Sequence, residues 1–201
     1  VIAVIDYGMG NLRSVQKGLE TAGVKSFITG NPAEVADAPG VILPGVGAFE
    51  DAIFNLRNTG MVEAVQEVVR RKRPLLGICL GMQLLFTESE ENGRHRGLEL
   101  IPGRVVRFPQ ANKIPHMGWN QVRLEGDSPL FSGVADKSYF YFVHSYYCDP
   151  CELVTAGICS YGIDFACAVQ KGNLLGCQFH PEKSSSLGLQ ILRNFGDLCR
   201  E

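Results

Sequence analysis

Leu75-Leu76-Gly77-Ile78-Cys79-Leu80-Gly81-Met82-Gln83-Leu84-Leu85-Phe86 sets a short apolar run against a glycine-bracketed cysteine and a second apolar run. Leu75 to Ile78 predicts a buried strand, and Gly81 to Phe86 predicts a helix that follows it at once. A lone cysteine at that junction matches a nucleophile elbow, in which a tight strand-to-helix turn thrusts one side chain outward. Such a turn strains the backbone, so the positions two before and two after must be small. Gly77 and Gly81 occupy them. The following helix and any nearby imidazolium would favour the thiolate, the form that attacks carbon. Taken alone, the segment also suits a buried core cysteine flanked by packing glycines.

Upstream, strand-like and helix-like segments alternate, the pattern of a parallel sheet with helices on its faces. Val1 to Ile5 is a continuous apolar run, and Leu12, Val15, Leu19 and Ala22 recur at helical spacing up to Gly23. Val24 to Ile28 predicts a second strand, Asn31-Pro32 opens a short helix, and Val41 to Leu43 predicts a third strand. Ala48 to Arg57 and Met61 to Lys72 predict two further helices. Beyond Gly97 the texture turns to short β-rich runs: Arg104 to Phe108, Trp119 to Leu124, Tyr139 to Val143, Leu153 to Ser160, Phe165 to Gln170 and Leu174 to Phe179. Ser184 to Cys199 predicts a closing helix. The expected fold is a single three-layer α/β sandwich. Its central sheet is mostly parallel and flanked by helices, with antiparallel additions in the second half.

Composition narrows the function classes. The 201 residues carry 19 Lys plus Arg against 21 Asp plus Glu, a formal net charge of −2, which argues against a phosphate-backbone binder. The most apolar stretch, Pro74 to Phe86, falls short of the ~20 residues that span a bilayer, so neither nucleic acid nor membrane is an expected partner. The chain opens directly on a strand-like run without a charged leader, and a cytoplasmic location is expected. Seven cysteines, an odd number mostly among apolar neighbours, do not suggest a disulfide framework. Cys148-Asp149-Pro150-Cys151 lacks a second ligand pair and opens no helix, so neither metal nor redox cofactor is expected there.

The complement to the elbow is Gln178-Phe179-His180-Pro181-Glu182, at the end of an apolar strand, where open α/β sheets place their active groups. Pro181 keeps His180 and Glu182 extended, so both side chains can lean to one side. The carboxylate can then take the imidazole Nδ1–H and leave Nε2 facing sulfur. Pro44-Gly45-Val46-Gly47-Ala48 offers a glycine-rich turn after the third strand. Val46 there and the N–H of Leu80 are the candidate oxyanion donors. Alone, His180 and Glu182 also suit a strand end with a solvated carboxylate.

These segments together resemble the triad-type, class I glutamine amidotransferases, and within them the glutaminase subunits of imidazole glycerol phosphate synthases. The similarity extends through Asp6-Tyr7-Gly8-Met9-Gly10-Asn11, Pro115-His116-Met117-Gly118-Trp119-Asn120 and Tyr141-Phe142-Val143-His144-Ser145-Tyr146 to Lys183-Ser184, nearly the whole chain in order. The resemblance implies one amidotransferase domain over residues 1–201. It also implies hydrolysis of L-glutamine through a thioester on Cys79, with His180 as base and then acid and Glu182 as its orienter. Gln83 is implied at the α-amino and carboxylate end of glutamine, with backbone of Gly47, Ser145 and Tyr146 completing the pocket. No cofactor is implied. The implied partner is the cyclase subunit of imidazole glycerol phosphate synthase, in a heterodimer whose distant site reshapes the oxyanion turn.

Free ammonia is protonated and lost in water, so an uncoupled glutaminase would waste substrate and a docked partner is expected. Asn11, Trp119, Tyr141 and Lys183 are the candidate interface residues, since aromatics and a cation beside a catalytic mouth suit an anchor-and-rim surface. Plain sheet packing is the alternative for Trp119 and Tyr141. His116 and His144 are read as structural, and Arg70 to Arg73 as a solvated helix end. A glutaminase serving another synthase, such as that making pyridoxal phosphate, would show a Gly-Gly-Glu-Ser type segment where Pro44 to Gly47 stands. A catalytically dead binding module would have lost Cys79, His180 or Glu182.

Overall fold

A computed structural model of the chain describes residues 1–110 and 113–200. The first half runs β1 (Ile2–Ile5), α1 (Leu12–Thr21), β2 (Ser26–Thr29), α2 (Pro32–Asp37), β3 (Val41–Leu43), α3 (Phe49–Asn58), α4 (Met61–Arg70), β4 (Leu75–Ile78) and α5 (Leu80–Leu84). The second half adds β5 (Phe86–Ser89), β6 (His95–Arg96), β7 (Ile101–Arg107), β8 (His116–Leu124), β9 (Ser138–His144), β10 (Tyr146–Pro150), β11 (Thr155–Ser160), β12 (Asp164–Lys171), β13 (Leu174–Cys177) and α6 (Ser185–Leu198). The sheet order is β2-β1-β3-β4-β13-β12-β10-β7-β5-β6, with β11, β8 and β9 branching from β12. From β2 to β13 every pairing is parallel, and from β13 to β12 to β10 to β7 every pairing is antiparallel.

Strand alternation divides the core between two faces. Ala3 and Ile5 join Val35, Leu56 and Val65 beneath α2, α3 and α4. Ile2 and Val4 join Val15, Leu19 and Phe195 beneath α1 and α6. The parallel strands, covered on both sides, read as unbroken apolar runs for this reason. Two asparagines start their helices: Asn11 Oδ1 accepts from the Ser14 N–H at 3.3 Å, and Asn31 Oδ1 from the Ala33 N–H at 3.0 Å.

Several expected boundaries shift. The helix expected over Gly81 to Phe86 is the five-residue α5, which stops at Leu84. The cause is tertiary. The N–H groups of Leu98, Leu100 and Glu99 take the carbonyls of Leu84, Leu85 and Phe86 at 2.8, 2.9 and 3.3 Å, so the chain leaves the helix and Phe86 begins β5. Strand β2 starts at Ser26 rather than Val24, because the Val24 N–H still caps α1 through Leu19 O at 2.8 Å. The segment around Cys148 to Pro150, which is not among the expected strands, lies in β10. There Cys148 is buried and Cys151 exposed, so the two thiols do not share a face.

One close approach fixes the centre of the sheet. A Cβ built on Gly81 would lie 1.8 Å from the Leu43 carbonyl oxygen of β3. Gly81→Ala is therefore expected to destabilise the fold by about 3 kcal/mol, at the upper end for overpacking. Urea unfolding would show it as a lower midpoint at unchanged slope.

Candidate active site

The elbow is built where β4 has no room to continue as strand. Cys79 adopts φ 55° and ψ −112°, outside the regions natural to an L-residue, at a cost of ~1–3 kcal/mol. Its N–H still bonds to Cys177 O at 2.8 Å, the last rung to β13, while its carbonyl accepts from Met82 N at 3.1 Å and Gln83 N at 3.3 Å. Cys79 thus ends a strand and caps a helix in one residue. A Cβ on Gly77 would meet the Gly81 carbonyl oxygen at 2.6 Å, so both glycines of the motif are sterically required.

His180 stands just beyond β13, the strand beside β4. Its N–H bonds to Tyr141 O at 2.9 Å, while Ser184 Oγ donates to His180 O at 2.6 Å and accepts from the Tyr141 N–H at 3.0 Å. The 3-10 turn Pro181–Lys183 then brings Glu182 back against the ring. Glu182 Oε1 lies 2.8 Å from His180 Nδ1, and the two side chains are 3% and 2% exposed. Burial acts against the charged ring, but the Cys79 sulfur and the Glu182 carboxylate outweigh it and hold His180 up at about 10. Nε2 has no hydrogen-bond partner among the described residues, which leaves it available for proton transfer.

A cavity of about 400 Å³ opens at the C-terminal ends of β3 and β4. Cys79, His180, Val46, Gly47, Leu80, Gln83, Ser145, Tyr146 and Lys183 line it together, although they come from segments scattered along the chain. Glu182 sits behind His180. The glycine-rich turn is backed by the Asp6–Asn11 segment: Tyr7 Oη donates to Pro44 O at 2.7 Å, and a Cβ on Gly45 would meet the Tyr7 hydroxyl oxygen at 2.6 Å. Gly47 takes φ 101°, and Val46 is 42% exposed at the cavity mouth. Leu80 opens α5, so its N–H has no partner within that helix. A hollow of about 500 Å³ lies instead at the other end of the strands, against Pro74, Asn173 and Cys199.

Two residues without an assigned role in the sequence reading complete the site. Gln178 is fully buried: its Nε2 donates to Cys79 Sγ at 3.6 Å, and its Oε1 accepts from Gln83 Nε2 at 3.1 Å. Gln83 Nε2 also donates to Tyr146 O at 3.1 Å, which uses both of its N–H groups and leaves its carbonyl oxygen to face a ligand's donor. Glu91 lines the same cavity, where burial first, opposed by a backbone hydrogen bond at Phe49, pushes its carboxyl up. It sits in an acidic run after α5, and only the fold turns it toward the pocket. Among the described residues no group of three or more His, Cys, Asp and Glu gathers as a metal site.

The remaining candidates lie outside the cavity lining. Trp119 and Tyr141 face each other in register across β8 and β9, ring centroids 6.1 Å apart, with Trp119 52% exposed. Asn11 is exposed and caps α1.

The family profile described as Glutamine amidotransferase class-I matches residues 3–198. The chain belongs to the class-I glutamine amidotransferase family. It is 58% identical over 200 residues to the imidazole glycerol phosphate synthase subunit HisH of Moorella thermoacetica, an alignment covering 99% of this chain and 95% of that one. It is 53% identical over 201 residues to the subunit of the same name from Methanosarcina acetivorans, covering 98% of each. A crystal structure titled as a glutamine amidotransferase superposes on this amidotransferase with TM-score 0.77 at 19% identity, covering all of both chains, a likeness of fold.

The buried His180–Glu182 pair gives the amidotransferase a pH signature. His180 titrates near 6.5 when unfolded and at about 10 when folded. The stability this contributes is complete below about pH 6.5 and is lost as pH rises toward 10. Glu182→Gln is expected to flatten that decline, measured by urea unfolding at pH 6 and pH 9; an unaltered difference between the two pH values would contradict the pairing.

Proposed function

We propose that this chain is the glutaminase subunit of an imidazole glycerol phosphate synthase. It hydrolyses L-glutamine to L-glutamate and ammonia and passes the ammonia to a cyclase subunit. That subunit forms imidazole glycerol phosphate and an aminoimidazole carboxamide ribotide in histidine biosynthesis. One observation carries the proposal: the elbow thiol, the His180–Glu182 pair and the glycine-rich turn converge on one cavity, in a chain more than half identical along its length to proteins named as that subunit.

In this reading residues 1–201 act as one catalytic domain. Glutamine lies with its α-ammonium toward Glu91 and the Gln83 carbonyl oxygen, and with its side-chain amide over Cys79. The Cys79 thiol gives its proton to His180 and the sulfur attacks the amide carbon; the carbonyl electrons move to oxygen, where the N–H groups of Val46 and Leu80 receive the charge. His180 holds its proton at neutral pH, so it protonates the leaving nitrogen at Nε2 and ammonia departs. Water then attacks the thioester and gives a proton to His180, glutamate leaves, and the thiol is restored. Glu182 stabilises the imidazolium in both halves.

In this reading the cyclase docks against β8 and β9. Met117, Trp119 and Tyr139 are 62%, 52% and 52% exposed on the outer face, beside Tyr141, whose peptide is bonded to the turn that carries Lys183; Asn11, exposed at the start of α1, is a further candidate contact. Aromatic anchors with a cation suit such an interface. The cysteines are all free thiols, which suits the cytoplasm.

Cys79→Ala is expected to abolish glutamine hydrolysis while leaving cyclase binding and ammonia-driven product formation intact; residual glutamate above background would remove Cys79 as nucleophile. Glu91→Gln loses one charge-assisted hydrogen bond and is expected to raise KM for glutamine roughly tenfold with little change in kcat. Steady-state glutamate release in the complex measures both.

A further inference from the structure

Running outward from the cavity wall, of which His144 is a part, two histidines and an asparagine form a chain of hydrogen bonds that the mechanism does not use. His116 and His144 are paired in register on β8 and β9 and are 3% and 6% exposed. His144 Nδ1 lies 2.8 Å from Tyr146 O, and His144 Nε2 lies 2.9 Å from His116 Nδ1. At the outer end, Asn120 Nδ2 lies 3.1 Å from His116 Nε2 and donates to Ser160 O at 3.0 Å. His116 is sandwiched between Phe142 and Tyr161, with ring centroids 4.9 and 4.2 Å away and interplanar angles of 25° and 22°.

With both rings neutral, only one arrangement of protons satisfies these contacts. A peptide oxygen can only accept, so His144 must carry its proton on Nδ1 and accept at Nε2. His116 must then donate from Nδ1 and accept at Nε2, and Asn120 must present its amide N–H groups. Burial favours the neutral form of both rings. The peptide oxygens of Ser160 and Tyr146, which can only accept, therefore fix one direction for the whole chain, from the Asn120 amide to a last bond on Tyr146 O. The same oxygen takes the bond from Gln83, beside the Ser145–Tyr146 wall of the cavity.

We infer that Asn120, His116 and His144 are positioning residues, a one-way hydrogen-bond relay that holds the Ser145–Tyr146 peptide and Gln83 in place for the α-end of glutamine. The inference rests on the function proposed above. Asn120→Asp is the sharp perturbation, because it keeps the shape of the side chain and replaces the donor by an acceptor. His116 must then carry a proton on Nε2. Either that ring becomes a cation, or the relay reverses and His144 turns a lone pair toward Tyr146 O.

The test uses the complete complex with the cyclase, together with long-range proton–nitrogen NMR of the histidine rings. The wild type is expected to show His116 and His144 as neutral Nδ1–H tautomers. Asn120→Asp is expected to protonate His116 Nε2 and to raise KM for glutamine roughly fivefold or more, with kcat changed by less than about twofold. Product formation from ammonia should not change. An Nε2–H tautomer at His144 in the wild type overturns the relay, whether or not the variant folds. A wild type active on glutamine whose KM the variant leaves unmoved overturns it as well. A wild-type complex that makes product from ammonia but never from glutamine overturns the proposed function instead, and the tautomer measurement still reads the relay.

Discussion

The close contact between Gly81 and the carbonyl of Leu43 is the constraint on which the rest of the molecule depends. It lets β3 and β4 lie side by side while α5 starts immediately above them, with 1.8 Å available where a side chain would need more than 3 Å. That crowding forces Cys79 to positive φ, and the strain is held by the rung to β13 and by the two amides that Cys79 O accepts. The Cys79 thiol is therefore positioned by backbone packing. Gly77 and Gly81 are the residues that this crowding admits on either side of it.

Electrostatics completes what sterics begins. His180 and Glu182 are side chains that water would normally stabilise, yet each is at most 3% exposed. Their pairing offsets the desolvation, and the ring stays charged well above neutral pH because sulfur and carboxylate flank it. Ser184 binds this turn to β9 through the Tyr141 peptide, so His180 and the proposed cyclase surface share one short strand segment. Gln178 links the sulfur to Gln83 in the same way, which couples Cys79 to the Gln83 wall of the cavity.

What the sequence reveals follows from which constraints are local. The elbow, the paired His180 and Glu182 and the glycine-rich turn leave traces because a steric or conformational demand falls on adjacent residues. The parallel half of the sheet is legible for a similar reason, since burial on both faces removes polar residues altogether. Strands β5, β6 and β10 are not legible: each is short, and β5 forms because residues 97–101 capture carbonyls that a helix would otherwise use. Glu91 lies in an acidic stretch that matches no motif, and only the fold turns it toward the cavity. His116 and His144 look like ordinary core residues until the β8–β9 register sets their rings together.

The central claim is that geometry singles out one sulfur among seven free thiols for attack on a glutamine side chain. Treating the complex with a chloroketone analogue of glutamine and locating the label by peptide mass spectrometry tests it most directly. The account predicts saturable labelling of Cys79 that glutamine prevents, with exposed Cys151 reacting only slowly and without saturation. Glutamine-sensitive labelling at any other cysteine, or none at Cys79, would contradict it.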